Sequence, residues 1–360
     1  MNSLFDPITI GQLELANRIV MAPLTRNRAG AGQVPGALAV EYYRQRATAG
    51  LIISEASQIS PMAQGYLDTP GIHSAAQIAG WRQVTDAVHA AGGKIVIQLW
   101  HVGRIAHSSL LPDGAAPVSS TARRAEAMTY TSEGFVPVST PRALRDDEIP
   151  ALIEDYRRAA SNALAAGFDG VEVHGANTYL LEQFLRDSVN DRSGPYGGSI
   201  ANRARLLLEV VQAVSAEIGA GRTGLRLSPM TTFTAPLDSD PQALYGYVVE
   251  QLAPLGLAYL HVIEGETGGT RAPEGKAFDY EALHRAFPGA WMLNNGYSRE
   301  LAMANVAAGK ADLVAFGRSF ISTPDLVRRL KDDLPLNELR ADTLYGGGAE
   351  GYTDYPALAA

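Results

Sequence analysis

The sequence predicts a single (β/α)₈ barrel spanning residues 1–360, and three observations carry that prediction. Short, continuously apolar runs recur along the chain, each bounded by turn residues, as buried parallel strands require. Segments with helical spacing of apolar residues separate them. Strand and helix keep alternating, so right-handed crossovers between parallel strands are the economical topology, and eight such strands close into a barrel.

The eight runs are Arg18–Ala22, Leu51–Glu55, Lys94–Trp100, Gly170–His174, Gly224–Ser228, Tyr259–Ile263, Trp291–Asn294 and Leu313–Phe316. Helical patterns cover 75–91, 147–166, 200–218, 241–254, 298–308 and 324–331. Asp147, Ser199 and Ser298 are the expected N-caps, with Thr323-Pro324 as cap and first-turn proline of the last helix. Gly92-Gly93, Gly167 and Gly309 are expected to close helices. Ahead of the barrel, Ile8-Thr-Ile and Leu13-Glu-Leu flank Gly11 and read as a hairpin that plugs the lower mouth. The stretch 102–146, rich in Pro, Ser, Thr and Ala, has no strong pattern. Loops of that length are usually functional, and its place after the third strand makes it a lid over the active face.

Composition narrows the function. Hydrophobic residues make up 46% of 360 and charged residues 19%, enough to bury a large core. A net charge of −8 argues against nucleic acid or an anionic membrane as partner. With no cysteine, thiolate catalysis, Cys-ligated zinc and iron–sulfur clusters are excluded. No apolar run has the length of a membrane span, and the first residues lack a secretory pattern. A cytoplasmic protein, monomer or homodimer, is the expectation.

In such a barrel, side chains at strand C-termini converge on one cavity. The richest end is Val171-Glu-Val-His-Gly-Ala-Asn-Thr-Tyr179. His174 and Asn177 each offer an N–H to one oxygen, and Tyr179 carries a phenolic proton. Donors plus a proton source suit a reaction that builds charge on oxygen. The plainer reading is a His satisfied by backbone and a Tyr that only packs.

Arg226, between two leucines, needs an anion or several acceptors. A salt bridge to Glu172 or Glu55 would serve; so would an electron-rich ligand. Gln98 lies among Ile and Leu and must also find a partner. After the seventh and eighth strands come Asn295-Gly296 and Gly317-Arg318, the usual place for a phosphate in a barrel. A phosphate anchor, a buried Arg and Gln, and an oxygen-binding pair together fit a planar phosphorylated cofactor such as FMN.

These residues lie in longer motifs. They include Leu4-Phe-Asp-Pro, Asn17-Arg-Ile-Val-Met-Ala-Pro-Leu-Thr-Arg26 and Gln98-Leu-Trp-His-Val-Gly-Arg104. His174-Gly-Ala-Asn-Thr-Tyr179, Asp191-Arg-Ser-Gly-Pro-Tyr-Gly-Gly-Ser199 and Ala315-Phe-Gly-Arg318 follow. Tyr345-Gly-Gly-Gly-Ala-Glu-Gly-Tyr-Thr-Asp-Tyr-Pro356 closes the series. In this order the chain resembles the Old Yellow Enzyme family of flavin-dependent ene-reductases, especially the bacterial branch of N-ethylmaleimide and pentaerythritol tetranitrate reductases.

The resemblance implies noncovalent FMN, NADPH or NADH as hydride donor, and electron-poor alkenes as substrates. It implies that Pro23, Leu24, Thr25, Ala56 and Gln98 line the flavin ring, with Arg226 at its N1–O2 edge. Asn295, Gly296, Gly317 and Arg318 would hold the phosphate. His174 and Asn177 would bind the substrate oxygen, Tyr179 would donate the proton, and Tyr66, Trp100 and Tyr352 would line the substrate pocket. No metal is implied. Two departures stand out. Asn177 replaces a His found in some relatives, and Glu266 lies where several carry an aromatic, which is expected to widen the pocket. A 2-hydroxy-acid oxidase using His as base, and a flavin scaffold without turnover, are the competing readings.

Overall fold

In the computed structural model, which describes residues 2–271 and 277–358, eight parallel strands form a closed barrel. The hairpin β1 (Ile8–Ile10) and β2 (Leu13–Leu15) precedes the first barrel strand, β3 (Ile19–Met21). Helix α1 (Ala37–Arg44) leads to β4 (Leu51–Gln58), and α2 (Ala75–Ala90) to β5 (Ile95–Trp100). Four short strands occupy the next connection: β6 (Val118–Ser119), β7 (Met128–Thr131), β8 (Gly134–Pro137) and β9 (Arg142–Ala143). Then α3 (Ile149–Ala165) precedes β10 (Gly170–Gly175). Helices α4 (Leu180–Leu185) and α5 (Ile200–Ile218) lead to β11 (Thr223–Leu227), and α6 (Pro241–Leu252) to β12 (Tyr259–Ile263). The barrel ends with α7 (Tyr280–Ala286), β13 (Ala290–Asn294), α8 (Arg299–Ala307) and β14 (Leu313–Phe316), followed by α9 (Arg318–Ser322) and α10 (Leu326–Asp332). β14 pairs with β3 and closes the ring. All eight expected strands are present, and the extra helices α1, α4, α7 and α9 are short.

Alternation along each strand sorts the side chains. Ile95, Ile97 and Leu99 of β5 face outward and pack under the helices in the main core. Val96, Gln98 and Trp100 face the barrel axis, so the interior is built in layers. The lowest layers are apolar: Val20, Leu51, Ile53, Val96, Met292 and Leu313 pack with Ile10, Leu13 and Leu15 from the hairpin. The hairpin is therefore the floor of the barrel, as expected from its place in the sequence.

Ser199 and Ser298 cap α5 and α8, accepting from Asn202 N and Leu301 N. Two expected caps move. α3 is preceded by a 3₁₀ turn over Asp146–Glu148, so Asp147 lies inside that turn and does not cap. α10 begins at Leu326 behind Asp325; Thr323 ends α9, and its hydroxyl accepts from Asn337 N at 3.1 Å.

The stretch 102–146 carries more order than its pattern shows. β7 and β8 form an antiparallel hairpin, and β6 pairs with β9 in parallel. Strands of two to four residues are too short to print a period of two. The segment is held down by Leu67 N, which donates to Tyr130 O at 2.9 Å. Val102, Ile105, Ala106, Leu111 and Val138 pack with Trp100 and Tyr179. It covers the carboxyl ends of the strands, as a lid should.

Gly11, at the hairpin tip, has φ +54° and presses on Gly221; a Cβ there would lie 2.4 Å from Gly221 O. Left-handed strain and overpacking against backbone add, so Gly11→Ala is expected to destabilise the fold by about 2–4 kcal/mol. Chemical denaturation measures it. A change within about 0.5 kcal/mol would show that the hairpin is not the floor described here.

Candidate active site

Above the apolar floor, the next inward layer is polar. Gln98, Glu172, Arg226, His261 and Asn294 come from five strands, and four of them are closely buried; Asn294 is half-buried. The register places Glu172 beside Gln98 and Arg226 beside both His174 and His261. The carboxylate of Glu172 accepts from Gln98 Nε2 at 2.7 Å and from His261 Nδ1 at 2.9 Å. Arg226 is thus left without a direct ion pair to Glu172 or Glu55. Its Nη2 donates to Asn294 Oδ1 at 2.8 Å, and Asn294 Nδ2 donates to Ala315 O at 2.8 Å. Arg226 Nε is buried and has no partner among the described residues. A buried guanidinium with a donor to spare can take a further acceptor.

The top layer holds His174, Trp100, Tyr179 and Tyr66 in mutual contact. The Trp100 ring lies parallel to His174 at 6.3 Å and to Tyr66 at 5.7 Å. Tyr179 stands edge-on to Trp100 at 5.0 Å and to His174 at 5.1 Å. The hydroxyls of Tyr66 and Tyr179 are 3.1 Å apart. Burial, with Arg226 and His261 nearby, pushes the His174 pKa well below its ordinary value. The imidazole is therefore neutral, and its Nδ1 accepts from Ala176 N at 3.2 Å. That leaves the proton on Nε2, which is a donor. Burial raises the Tyr179 phenol well above its usual range and pushes Tyr66 up to about 12, so both keep their protons.

Asn177 and Thr178 have φ of 57° and 60°, two consecutive left-handed residues, neither of them glycine. Such strain persists only where the surroundings over-determine it. Here Asn177 N donates to Ser228 Oγ at 2.7 Å, and Thr178 N donates to the carboxylate of Glu182. Ser228 Oγ in turn donates to Glu182 at 2.9 Å, and Glu182 pairs with Arg186 at 2.9 Å, both fully buried. The side-chain Oδ1 of Asn177 accepts from Thr267 Oγ1 at 2.8 Å, which leaves its Nδ2 to donate elsewhere.

Of the remaining predicted residues, Pro23, Leu24 and Thr25 follow β3, and Ala56 lies beside Gln98 after a shift of register in β4. Asn295 Nδ2 donates to the carbonyls of Glu264 and Glu266, at 2.7 and 2.8 Å. Gly296 has φ 62°, and Gly317 precedes α9 against Leu24. Arg318 is exposed at the start of that helix. Glu266 turns its carboxylate to Thr232, accepting from Thr232 N and from its hydroxyl. Tyr352 is not brought to the cluster. It is fully buried, stacked 4.2 Å from Tyr42, with Arg26 and Arg28 over its ring. A different tyrosine of the same motif, Tyr345, is exposed and close enough to both Tyr66 and Tyr179 to raise their pKa values. Among the described residues no cluster could hold a metal ion, and no helix is long and apolar enough to cross a membrane.

The barrel has close relatives. Residues 3–337 match the NADH:flavin oxidoreductase / NADH oxidase family. The chain is 49% identical to 12-oxophytodienoate reductase 1 of Oryza sativa subsp. japonica over 358 residues, covering 99% of this chain and 93% of the relative. It is 42% identical to 12-oxophytodienoate reductase 2 of Arabidopsis thaliana over 361 residues, covering 99% and 96%. Among solved structures, morphinone reductase in complex with tetrahydroNAD superposes with a TM-score of 0.94 at 48% identity, over 100% of this chain and 98% of that one. The Old Yellow Enzyme homologue of Zymomonas mobilis superposes with a TM-score of 0.96 at 45% identity, over 99% and 100%. With a closed parallel barrel and a polar strand-end site of this kind, the chain belongs to the NADH:flavin oxidoreductase / NADH oxidase family, as a flavin oxidoreductase of the Old Yellow Enzyme type that uses FMN and a nicotinamide hydride donor.

Proposed function

We propose that this enzyme reduces the C=C bond of α,β-unsaturated carbonyl compounds and nitroalkenes, with the top-layer residues gripping the substrate over FMN. The observation that carries the reading is the hydrogen bond from Ala176 N to His174 Nδ1, at 3.2 Å. It fixes the tautomer so that Nε2–H is offered upward as a donor, one turn of chain from Asn177 and beside Tyr179. A 2-hydroxy-acid oxidase needs the opposite, a histidine nitrogen free to accept a proton at that face. The relatives are named for 12-oxophytodienoate and morphinone, both electron-poor alkenes of the same class.

The residues present fit FMN. Arg226 Nε and Trp100 Nε1, buried donors in the two upper layers of the barrel, have no partner among the described residues, and a planar polar ring would meet them. Arg226 would face the electron-rich N1–O2 edge, and Gln98 and Thr25 would supply mixed donors and acceptors to the ring edges. Pro23, Leu24 and Ala56 would line the ring. The backbone at Asn295, Gly296 and Gly317, with the Arg318 guanidinium, would hold the phosphate. Bound FMN would supply two-electron storage, accepting a hydride equivalent from NADPH or NADH and returning it to the alkene.

The protein's part is electrostatic and protic. His174 Nε2–H and Asn177 Nδ2–H donate to the substrate oxygen and draw electron density from the double bond. As hydride arrives at Cβ, the electron pair of the C=C bond moves toward that oxygen, where both donors strengthen. Tyr179 gives its phenolic proton to Cα, and Tyr66, in contact with it, can then donate to the phenolate. The lid segment and the Trp100 ring exclude water from the site.

His174→Ala is expected to slow alkene reduction about 10²–10³-fold, with a smaller effect on flavin reduction by NADPH. Tyr179→Phe is expected to slow alkene reduction and spare flavin reduction. Stopped-flow measurement of the two half-reactions separates these; equal losses in both would contradict the assigned roles.

The pKa directions give a further expectation. A histidine pushed far below its usual pKa is neutral throughout, and a phenol pushed above its own stays protonated. No donor in the grip changes charge between about pH 6 and about pH 9. The rate constant for the alkene half-reaction with a neutral enone is therefore expected to be flat over that window. A loss of rate as pH rises through about 6–7, as an imidazolium donor would give, contradicts it.

A further inference from the structure

We propose that Thr267, with Thr231 behind it, is a positioning residue that sets which end of the Asn177 amide faces the substrate. The inference rests on the reading of Asn177 as an oxygen-binding donor and adds how that donor is aimed. An asparagine amide is nearly symmetric in shape, and its carbonyl end would repel a substrate oxygen. Something must therefore choose the orientation.

The contacts make that choice through a chain of hydroxyls. Thr231 is fully buried, and its backbone is pinned by Arg186 Nη1, which donates to Thr231 O at 2.7 Å. Thr231 Oγ1 accepts from Thr267 N at 2.8 Å. Its own proton then has one acceptor among the described residues, Thr267 Oγ1, at 2.5 Å. With that lone pair engaged, Thr267 directs its proton to Asn177 Oδ1, at 2.8 Å. The chain Thr231 O–H to Thr267 O–H to Asn177 Oδ1 is directional, and each bond polarises the next. Its end point holds the amide carbonyl away from the site and frees Nδ2–H to face it.

The chain starts and ends in the same framework. Arg186 anchors Thr231 and also pairs with Glu182, which holds Ser228 and, through it, Asn177 N. Main chain and side chain of Asn177 are thus referred to one buried ion pair. The hydroxyl comes from the connection after β12, whose neighbour Glu266 is tied back to Thr232. That connection therefore acts on the site through Asn177 and not only by shaping the pocket wall.

The test uses FMN-loaded holoenzyme and compares Thr267→Val, which keeps the shape and loses the hydroxyl, with Thr267→Ser, which keeps the hydroxyl. Two readouts are taken: the dissociation constant of 4-chlorophenol by calorimetry, and kcat/KM for cyclohexenone with NADPH. Thr267→Val is expected to weaken the first and lower the second by about tenfold, the worth of one well-placed neutral hydrogen bond. Thr267→Ser is expected to restore both to within about twofold of wild type. In an Asn177→Ala background, Thr267→Val is expected to have no further effect. Thr267→Val equal to wild type, Thr267→Ser as poor as Thr267→Val, or an undiminished loss in the Asn177→Ala background would each overturn the assignment while leaving the ene-reductase reading intact. A wild-type enzyme that neither binds the phenol nor reduces the enone would overturn both.

Discussion

The buried pair of Glu182 and Arg186 is the interaction on which the site depends. The turn from Ala176 to Tyr179 carries two consecutive residues in a conformation that costs each of them about 1 kcal/mol or more. Left alone it would relax, and Asn177 and Tyr179 would lose their aim. Glu182 holds it by accepting from Thr178 N and Ser228 Oγ, and Tyr245 adds a third donor. Arg186 balances the charge and ties Thr231, Ser228 and Pro236 by their carbonyls. A buried ion pair is a weak source of stability by itself. Its value here is conformational: it fixes a strained turn between two strands of a rigid barrel.

The barrel supplies the second constraint. Because inward and outward residues alternate, the same strand that packs Val171 and Val173 under helices delivers Glu172 and His174 to the axis. The layers change character with height. Apolar side chains fill the floor, a hydrogen-bonded polar layer lies above it, and donors and aromatic rings meet at the mouth. Within the polar layer, among the described residues, Arg226 Nε and His261 Nε2 are the buried side-chain nitrogens left without a partner. Gln98 and His261 occupy the Glu172 carboxylate, and the Arg226 guanidinium turns to Asn294.

Much of this was legible in the sequence, and the exceptions have physical reasons. The barrel strands announce themselves because a strand buried on both faces is a continuous apolar run. A polar residue inside such a run, like Gln98 or Arg226, must be inward, so the site could be listed from strand ends. The lid hairpin was not legible, since strands of two to four residues carry no measurable period. Which of the two alternatives for Arg226 holds was not legible, because register, not residue type, decides which neighbour a carboxylate meets. Tyr352 and Tyr345 belong to one motif, and only the packing of Tyr352 against Tyr42 and Arg26 shows that Tyr345 is the one near the site. Thr231 and Thr267 come from loops that meet only in the folded barrel, and no local signal in either marks them.

A single structure tests the central claim most directly: the FMN-loaded enzyme crystallised with a phenol in the site. The account places the phenolic oxygen about 2.7–3.1 Å from both His174 Nε2 and Asn177 Nδ2, with the phenol ring stacked over the flavin. A ring bound elsewhere, or an oxygen held by other groups while His174 and Asn177 point away from it, would contradict it.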